Sequence, residues 1–234
     1  MVGDVAGALV GSDVPLGVIP TGTTNVVAAE LGIPGSPGRA VPALVRSSKT
    51  RRLHTWSVGD RTLVLGASAG FDAEIMRNVS GDLKARIGYV AIVLAGLKAL
   101  LRYDHPRLTI TGTDEGGALV ELTGTSVIAT NTKRYGRRAV TVPAADPEDD
   151  LLDVMVGTTT SRLAVLAFWL RLLAGGGRQL EHDGVRYLRL RSLRAEAQGP
   201  EQAEVQVNGD PVGRTILEVV PAGWVSFLVP EARR

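Results

Sequence analysis

The chain has 234 residues, of which 44% are hydrophobic and 21% charged, an ordinary globular composition and long enough to bury a substantial core. A formal charge of +2 falls well short of the clustered basic stripe that nucleic-acid binding requires. With no cysteine, disulfides, thiolate catalysis and cysteine-ligated zinc are excluded, and His54, His105 and His182 lack metal-ligand spacing and read as structural.

Residues 2–10 read as a short helix. Residues 16–19 form an apolar run that Pro20 stops and Gly22 opens, followed by Thr23, Thr24, Asn25 and the alanine-rich residues 26–31. The pattern predicts a strand, a turn and a helix with Thr23, Thr24 or Asn25 as N-cap. Exposed N–H groups at a helix start beside a glycine suit a nucleotide phosphate, although an ordinary capped connection gives the same pattern. A strand apolar on both faces belongs inside a parallel sheet, so 16–19 needs neighbours from another segment or another chain. Residues 32–39, rich in Gly and Pro, close this piece, and 41–47 read as a further helical turn.

From Lys49 the texture becomes β. Residues 51–58 and 61–67 flank Gly59-Asp60 as a two-residue hairpin. Residues 84–102 carry the longest helical pattern, with Ile87, Val90, Ala91, Leu94, Leu97 and Leu101 on one stripe that is expected to pack in the core rather than touch a bilayer. Strands are predicted over 107–113, 118–130, 138–142 and 151–158, then a helix over 161–174 capped by Ser161 and closed by Gly175 to Gly177. Strands over 185–195, 203–207, 215–220 and 226–229 complete a β-sandwich with two added helices. The apolar runs 87–97 and 163–173 are too short to span a bilayer, and no basic leader follows Met1, so a cytoplasmic location is expected. The sequon at 78–80 then carries no meaning.

Three stretches could carry chemistry. Gly66-Ala67-Ser68-Ala69-Gly70 matches the elbow of serine hydrolases, with His182 in the right chain order, but no oxyanion loop precedes it and a tightly packed strand end explains the small residues. Asp146, Glu148, Asp149, Asp150 and Asp153 crowd one loop, which reads either as a solvated surface or as a magnesium site. Asn208-Gly209 signals a type I′ hairpin that would hold Asp210 rigidly, as a base or as part of a plain turn.

Residues 17–25 and 28–34, Gly70-Phe71-Asp72-Ala73, Arg86-Ile87-Gly88-Tyr89, residues 146–154, and residues 205–211 followed by Val220-Pro221 occur in the order found in the diacylglycerol kinase catalytic family. Over nearly its whole length the chain resembles these lipid kinases, which include sphingosine and ceramide kinases and are distantly similar to NAD kinases. The resemblance implies an α+β protein: residues 1–45 a remnant of an α/β nucleotide-binding domain, residues 46–234 a β-sandwich, and the site between them. It implies that Thr23 contacts ATP, that Gly22 and Asn25 shape the loop, that Asp146, Asp149 and the carbonyl of Leu151 ligate magnesium, and that Asp210 is the general base for a lipid hydroxyl attacking the γ-phosphate. Three departures stand out. Asn208 and Asp210 replace the usual Asp-Gly-Glu or Asp-Gly-Asp pattern, Asp150 replaces a glycine, and the family's Gly-Gly-Asp-Gly-Thr phosphate loop would lie upstream of residues 2–10. The expectation is a lipid kinase impaired in this form, working on a lipid at the inner membrane surface, with a missing N-terminal segment or a homodimer partner completing the α/β part. A non-catalytic lipid- or partner-binding sandwich is the alternative.

Overall fold

Alternating side chains give β1 (Thr50–Val58) two different faces, and the fold is built on what each face covers. The computed structural model describes residues 1–79, 89–135, 139–200 and 202–231. β1 turns at Gly59 and Asp60 into β2 (Arg61–Leu63), as the two-residue loop predicts. The chain then leaves that edge at Val64 and Leu65 and starts β3 (Gly66–Ala69) in another part of the sheet. The strand expected over 61–67 is therefore two strands, split where the chain crosses between leaves.

The other strands are β4 (Leu108–Asp114), β5 (Leu119–Gly124), β6 (Ser126–Thr130), the short pair β7 (Arg134–Tyr135) and β8 (Ala139–Val140), β9 (Leu152–Gly157), β10 (Val185–Ala197), β11 (Glu204–Val207), β12 (Asp210–Arg214) and β13 (Leu217–Leu228). The main sheet runs β12-β11-β3-β6-β9-β10-β13-β1-β2, with β4 and β5 branching from β10. It curls until Trp56, Val58 and Leu63 from one end share a core with Ala67, Val127, Val154 and Val205 from the other. That closure is the sandwich the strand spacing predicts. The strand expected over 118–130 is broken at Thr125, whose N–H and hydroxyl both donate to the Gly157 carbonyl at 2.7 and 3.2 Å. β5 is thereby free to pair with β4, and β6 with β3 and β9.

A register shift in the β1–β13 pairing, opposite Thr55 and Trp56, exchanges the faces of β13. Before it, Leu217 and Val219 point into the sandwich. After it, Val225 and Phe227 join Leu53 in a second core with Ala6, Val18, Val27, Ala28, Leu31 and Leu44. This core seats the N-terminal helices α1 (Val2–Ala8), α2 (Val26–Glu30) and α3 (Pro37–Val45) on the outside of the β1–β13 leaf. Residues 16–19 do not form the parallel-sheet strand expected of them. Leu16 alone makes one parallel bridge to Phe227, donating to the Ser226 carbonyl at 2.8 Å and accepting from the Leu228 amide at 3.0 Å. Among the described residues its neighbour is the end of β13, and Pro20 prevents the run from extending.

Among the described residues three further helices cover one end of the sandwich: α4 (Phe71–Asn78), α5 (Tyr89–Arg102) and α6 (Arg162–Ala174). Ser161 caps α6 by accepting the Ala164 amide, and Gly175, at φ 72°, ends it, both as the sequence predicts. Arg86, Ile87 and Gly88 lie outside the described residues, as does Ser80. The expected burial of the α5 stripe is overturned. Ala95 and Ala99 are the positions packed against Phe71, Ile75 and Val165, whereas Leu94, Leu97 and Leu101 are 51%, 50% and 66% exposed. Large side chains of α4 and α6 take up much of the contact, so the fully buried positions of α5 are the alanines, with Leu100 partly buried beside them.

Candidate active site

The site is built on the β11–β12 hairpin. Asn208 and Gly209 adopt φ of 54° and 87°, left-handed values that suit a type I′ turn and that Asn and Gly tolerate best. The Asn208 side chain does more than turn the chain. Its Oδ1 accepts the Val64 and Leu65 amides at 3.0 and 2.9 Å, and its Nδ2 donates to the Thr62 carbonyl at 2.8 Å. One amide thus satisfies the backbone exactly where β2 crosses to β3, where no ladder can. Asp210 follows directly as the first residue of β12 and is exposed.

Beneath the turn lies a buried polar network. The Gly209 amide donates to Gln206 Oε1 at 2.7 Å, and Gln206 Nε2 donates to Ser68 Oγ at 3.0 Å and to Asp72 Oδ2 at 3.1 Å. The Ser68 hydroxyl donates to the same Asp72 oxygen at 2.5 Å, and the Tyr135 hydroxyl donates to the other. Burial pushes the Asp72 carboxyl above its usual range, opposed by these three donors. Ser68 is therefore spent on Asp72 and Gln206, with no histidine among its partners. The small residues are a packed strand end, as a Cβ on Gly66 would stand 2.5 Å from the Ala129 carbonyl. This removes the hydrolase reading.

The loop at 20–25 faces the same hairpin. Asn25 occupies the N-cap position but makes no capping bond with its side chain. Instead its Oδ1 accepts the Gly22 amide at 2.8 Å and its Nδ2 donates to the Gly22 carbonyl at 2.6 Å, which pins the loop into a tight turn. Gly22, Thr24, Asn25, Thr62, Asn208 and Asp210 line one cavity of about 270 Å³. A second, of about 170 Å³, shares Thr24, Leu65, Asn208 and Asp210 and adds Arg134 and Tyr135. Gly22, Asn25 and Asp210 are thus brought together, whereas Thr23 is exposed and lies outside both linings. Sequence reading missed Arg134, Gln206 and Asn208. Only the Asn-Gly turn left a signal, and it said nothing of what the Asn208 side chain holds.

The acidic loop lies elsewhere. Asp149 accepts the Leu151 amide at 3.0 Å and pairs with Arg189, Asp150 pairs with Arg191, and Asp146 accepts the Glu148 amide at 3.1 Å. Glu148 pairs with Arg51, whose guanidinium also reaches the Glu30 carbonyl at the end of α2. Among the described residues no group of three or more His, Asp or Glu side chains could hold a metal ion. Of the groups assigned to magnesium, Asp149 is paired with Arg189 in this arrangement, while Asp146 and Leu151 lie on the same loop. Two of the histidines have structural contacts: His105 stacks on Phe71, with centroids 5.7 Å apart, and His182 Nδ1 accepts the Gly184 amide.

Residues 1–58 match the family model described as the diacylglycerol kinase catalytic domain, and residues 66–227 match the YegS C-terminal NAD kinase beta sandwich-like domain. An uncharacterised protein of Synechocystis is 27% identical over 93% of this chain and 50% of its own length. A diacylglycerol kinase of Mycobacterium tuberculosis is 29% identical over 86% of this chain and 64% of its own. A probable YegS-like lipid kinase of Pseudomonas aeruginosa is 28% identical over 92% and 68%. The chain therefore spans about half to two thirds of the length of these relatives. The crystal structure of a putative diacylglycerol kinase from Bacillus anthracis superposes with a TM-score of 0.70 at 19% identity, covering 96% of this chain and 72% of that one. With the sandwich model matched over residues 66–227, more than half of the chain, and the catalytic-domain model matched over residues 1–58, the chain belongs to the diacylglycerol kinase family with a YegS-type, NAD kinase-like β-sandwich.

Proposed function

We propose that the chain serves ATP-dependent phosphoryl transfer to the hydroxyl of a membrane lipid, with Asp210 as general base. The observation that carries this reading is the meeting of Asp210 with Gly22 and Asn25 at one cavity. A base must sit within reach of the proton it takes, and a hairpin tip braced by Gln206 and Asn208 holds Asp210 still. As the lipid oxygen attacks the γ-phosphorus, its proton passes to the Asp210 carboxylate and ADP leaves. The backbone around Gly22, held by Asn25, lets the phosphates approach. Arg134 on the adjoining wall and Arg61 beside the larger cavity supply positive charge. Thr23, exposed on the loop, reaches the nucleotide from its rim. Magnesium ligation by Asp146, Asp149 and the Leu151 carbonyl requires Arg189 to release Asp149, and no step here runs through it. The boundary between the nucleotide-binding piece and the sandwich falls near residue 45 in this reading.

The test is ATP-dependent phosphorylation of diacylglycerol in mixed micelles by the chain and by Asp210→Asn. A loss of roughly 10²- to 10⁴-fold, the usual worth of a positioned base, is expected with folding unchanged, since Asp210 is exposed. Equal turnover by the two proteins would remove Asp210 from the chemistry. A second reading, lipid binding without turnover, draws support from the exposed leucines of α5, and saturable vesicle binding by a chain that transfers no phosphate would favour it.

A further inference from the structure

A cavity of about 470 Å³ lies between the C-terminal ends of α4 and α5, the start of β11 and the end of β12. None of its lining residues lines either cavity at Asp210, and its size is that of a small-molecule site. Three of the lining residues carry buried polar atoms with no partner among the described residues: the Tyr103 hydroxyl, Gln202 Oε1 and Glu204 Oε2. Glu204 is 5% exposed, and only one of its oxygens is answered. Its Oε1 meets Arg77 at 3.2 Å and Arg214 at 3.0 Å, whereas Oε2 meets nothing. The Tyr103 ring is fixed edge-on against Phe71 and His105, with centroids 5.8 and 5.0 Å away, so its hydroxyl is held in place. Burial pushes that hydroxyl above its usual range and keeps it protonated, able to donate as well as accept. Buried polar groups are normally satisfied, and a ligand that brings donors to this wall recovers bonds the fold leaves unmade.

Charge defines what else the ligand carries. On the wall formed by α4, β11 and β12, Glu74 and Glu204 balance Arg77 and Arg214, so the unmade bonds there call for uncharged donors, hydroxyls rather than an ammonium group. The α5 side differs. Lys98 and Arg102 are exposed, line the cavity one helical turn apart, and enter no ion pair among the described residues. Asp104 is the single carboxylate beside them. Two cations at positions i and i+4 stand side by side on a helix and suit a dianion with several oxygens, as a phosphate monoester is, better than a singly charged diester. Hydroxyl donors at one end and a phosphate monoester at the other describe a phosphorylated sugar or polyol.

We propose that this cavity binds a hydroxyl-rich phosphate monoester of the sugar phosphate class, at a site separate from Asp210. The proposal goes beyond the lipid-kinase reading and does not rest on it, since binding is measured without ATP, lipid or turnover. The experiment is isothermal titration calorimetry of the purified chain with glucose 6-phosphate. Saturable binding is expected, with glucose and inorganic phosphate each weaker by roughly tenfold or more, because each offers only half of the recognition. Lys98→Gln/Arg102→Gln should weaken it by roughly tenfold or more, and Tyr103→Phe by about fivefold. Lys98 and Arg102 are exposed and the Tyr103 hydroxyl bonds to nothing among the described residues, so both variants should melt no lower than the parent. A purely structural cavity would not register the loss of that hydroxyl. No saturable heat from the wild-type chain at millimolar glucose 6-phosphate would overturn the proposal. So would undiminished binding in either variant, which would place the ligand elsewhere, the phosphate-accepting loop at Gly22 included. Inorganic phosphate bound as tightly as glucose 6-phosphate would reduce the site to an anion patch, and tighter binding of glycerophosphoglycerol, a diester, would refute the monoester assignment.

Discussion

Helix α5 and strand β11 invert each other. The helix is rich in leucine and turns its leucines to solvent, and the strand buries a glutamate and a glutamine, Glu204 and Gln206, at 5% and 6% exposure. Each breaks the rule that apolar groups go inside and polar groups outside, and each does so beside the candidate site. The strand tolerates its polar groups through specific partners: Glu204, by its Oε1, with Arg77 and Arg214, and Gln206 with Ser68, Asp72 and Gly209. The helix has no such compensation among the described residues. Polar burial here is met largely within the fold, whereas apolar exposure points outward to a partner. Departures of this kind are expected where a sequence answers to function as well as to folding.

The sharpest way to break the comparison is at Gln206. Replacing it with leucine keeps the bulk but strands the Gly209 amide and removes a donor from Asp72. Each buried polar group left without a partner costs about 1–3 kcal/mol, so a loss of about 3 kcal/mol in urea denaturation is expected. Turnover should fall as well, with kcat more affected than KM, because the hairpin that carries Asp210 loses its brace. A variant as stable as the parent would show that the network contributes nothing and that β11 merely tolerates its polar residue.

Next in size is a contrast within α5. Ala99→Leu forces three extra carbons into the contact with Phe71, Ile75 and Val165, and overpacking of this kind costs about 1–3 kcal/mol. Leu97→Ala, two residues away on the other face, should change stability by no more than about 0.5 kcal/mol. Thermal denaturation of the pair decides whether α5 is oriented as described, since a helix rotated to bury its leucines would reverse the order.

Hydrophobic periodicity identified the α5 stripe but could not tell which way it faces. A 3.6-residue repeat is the same whether the stripe meets a core or a bilayer, and only the bulk of Phe71, Ile75 and Val165 decides it. The hairpin shows the same limit from another side. Asn208-Gly209 was legible as a type I′ turn because turn chemistry is local. The bonds from Asn208 to Val64 and Leu65 span 144 and 143 residues, and no local pattern encodes them. The run at 16–19 misled in the opposite way, since its apolar character reflects the second core around Val18 rather than a place in a parallel sheet. Gly22 and Asp210, which the family resemblance assigns to the site, line one cavity, while in the acidic loop a side chain 40 residues away, Arg189, pairs with the Asp149 that a motif assigns to a metal.

The contrast that best separates burial from bonding belongs to Asp72, where the effect appears only as a dependence on pH. Burial raises its native value above the usual one near 3.8, so the native state holds this proton more tightly than the unfolded chain. Its contribution to stability is then fully present below 3.8 and is lost as pH rises through the raised native value. Asp72→Asn cannot titrate. The stability of wild type relative to the variant should therefore decline from pH 4 to pH 7, by about 1.4 kcal/mol for each unit separating the native and unfolded values. Urea midpoints of both proteins at three pH values give that difference directly. The Asp153 carboxyl, also raised by burial, is common to both and cancels. A difference that instead grows with pH would mean that Ser68, Tyr135 and Gln206 together outweigh desolvation, making Asp72 a buried anion held by its donors.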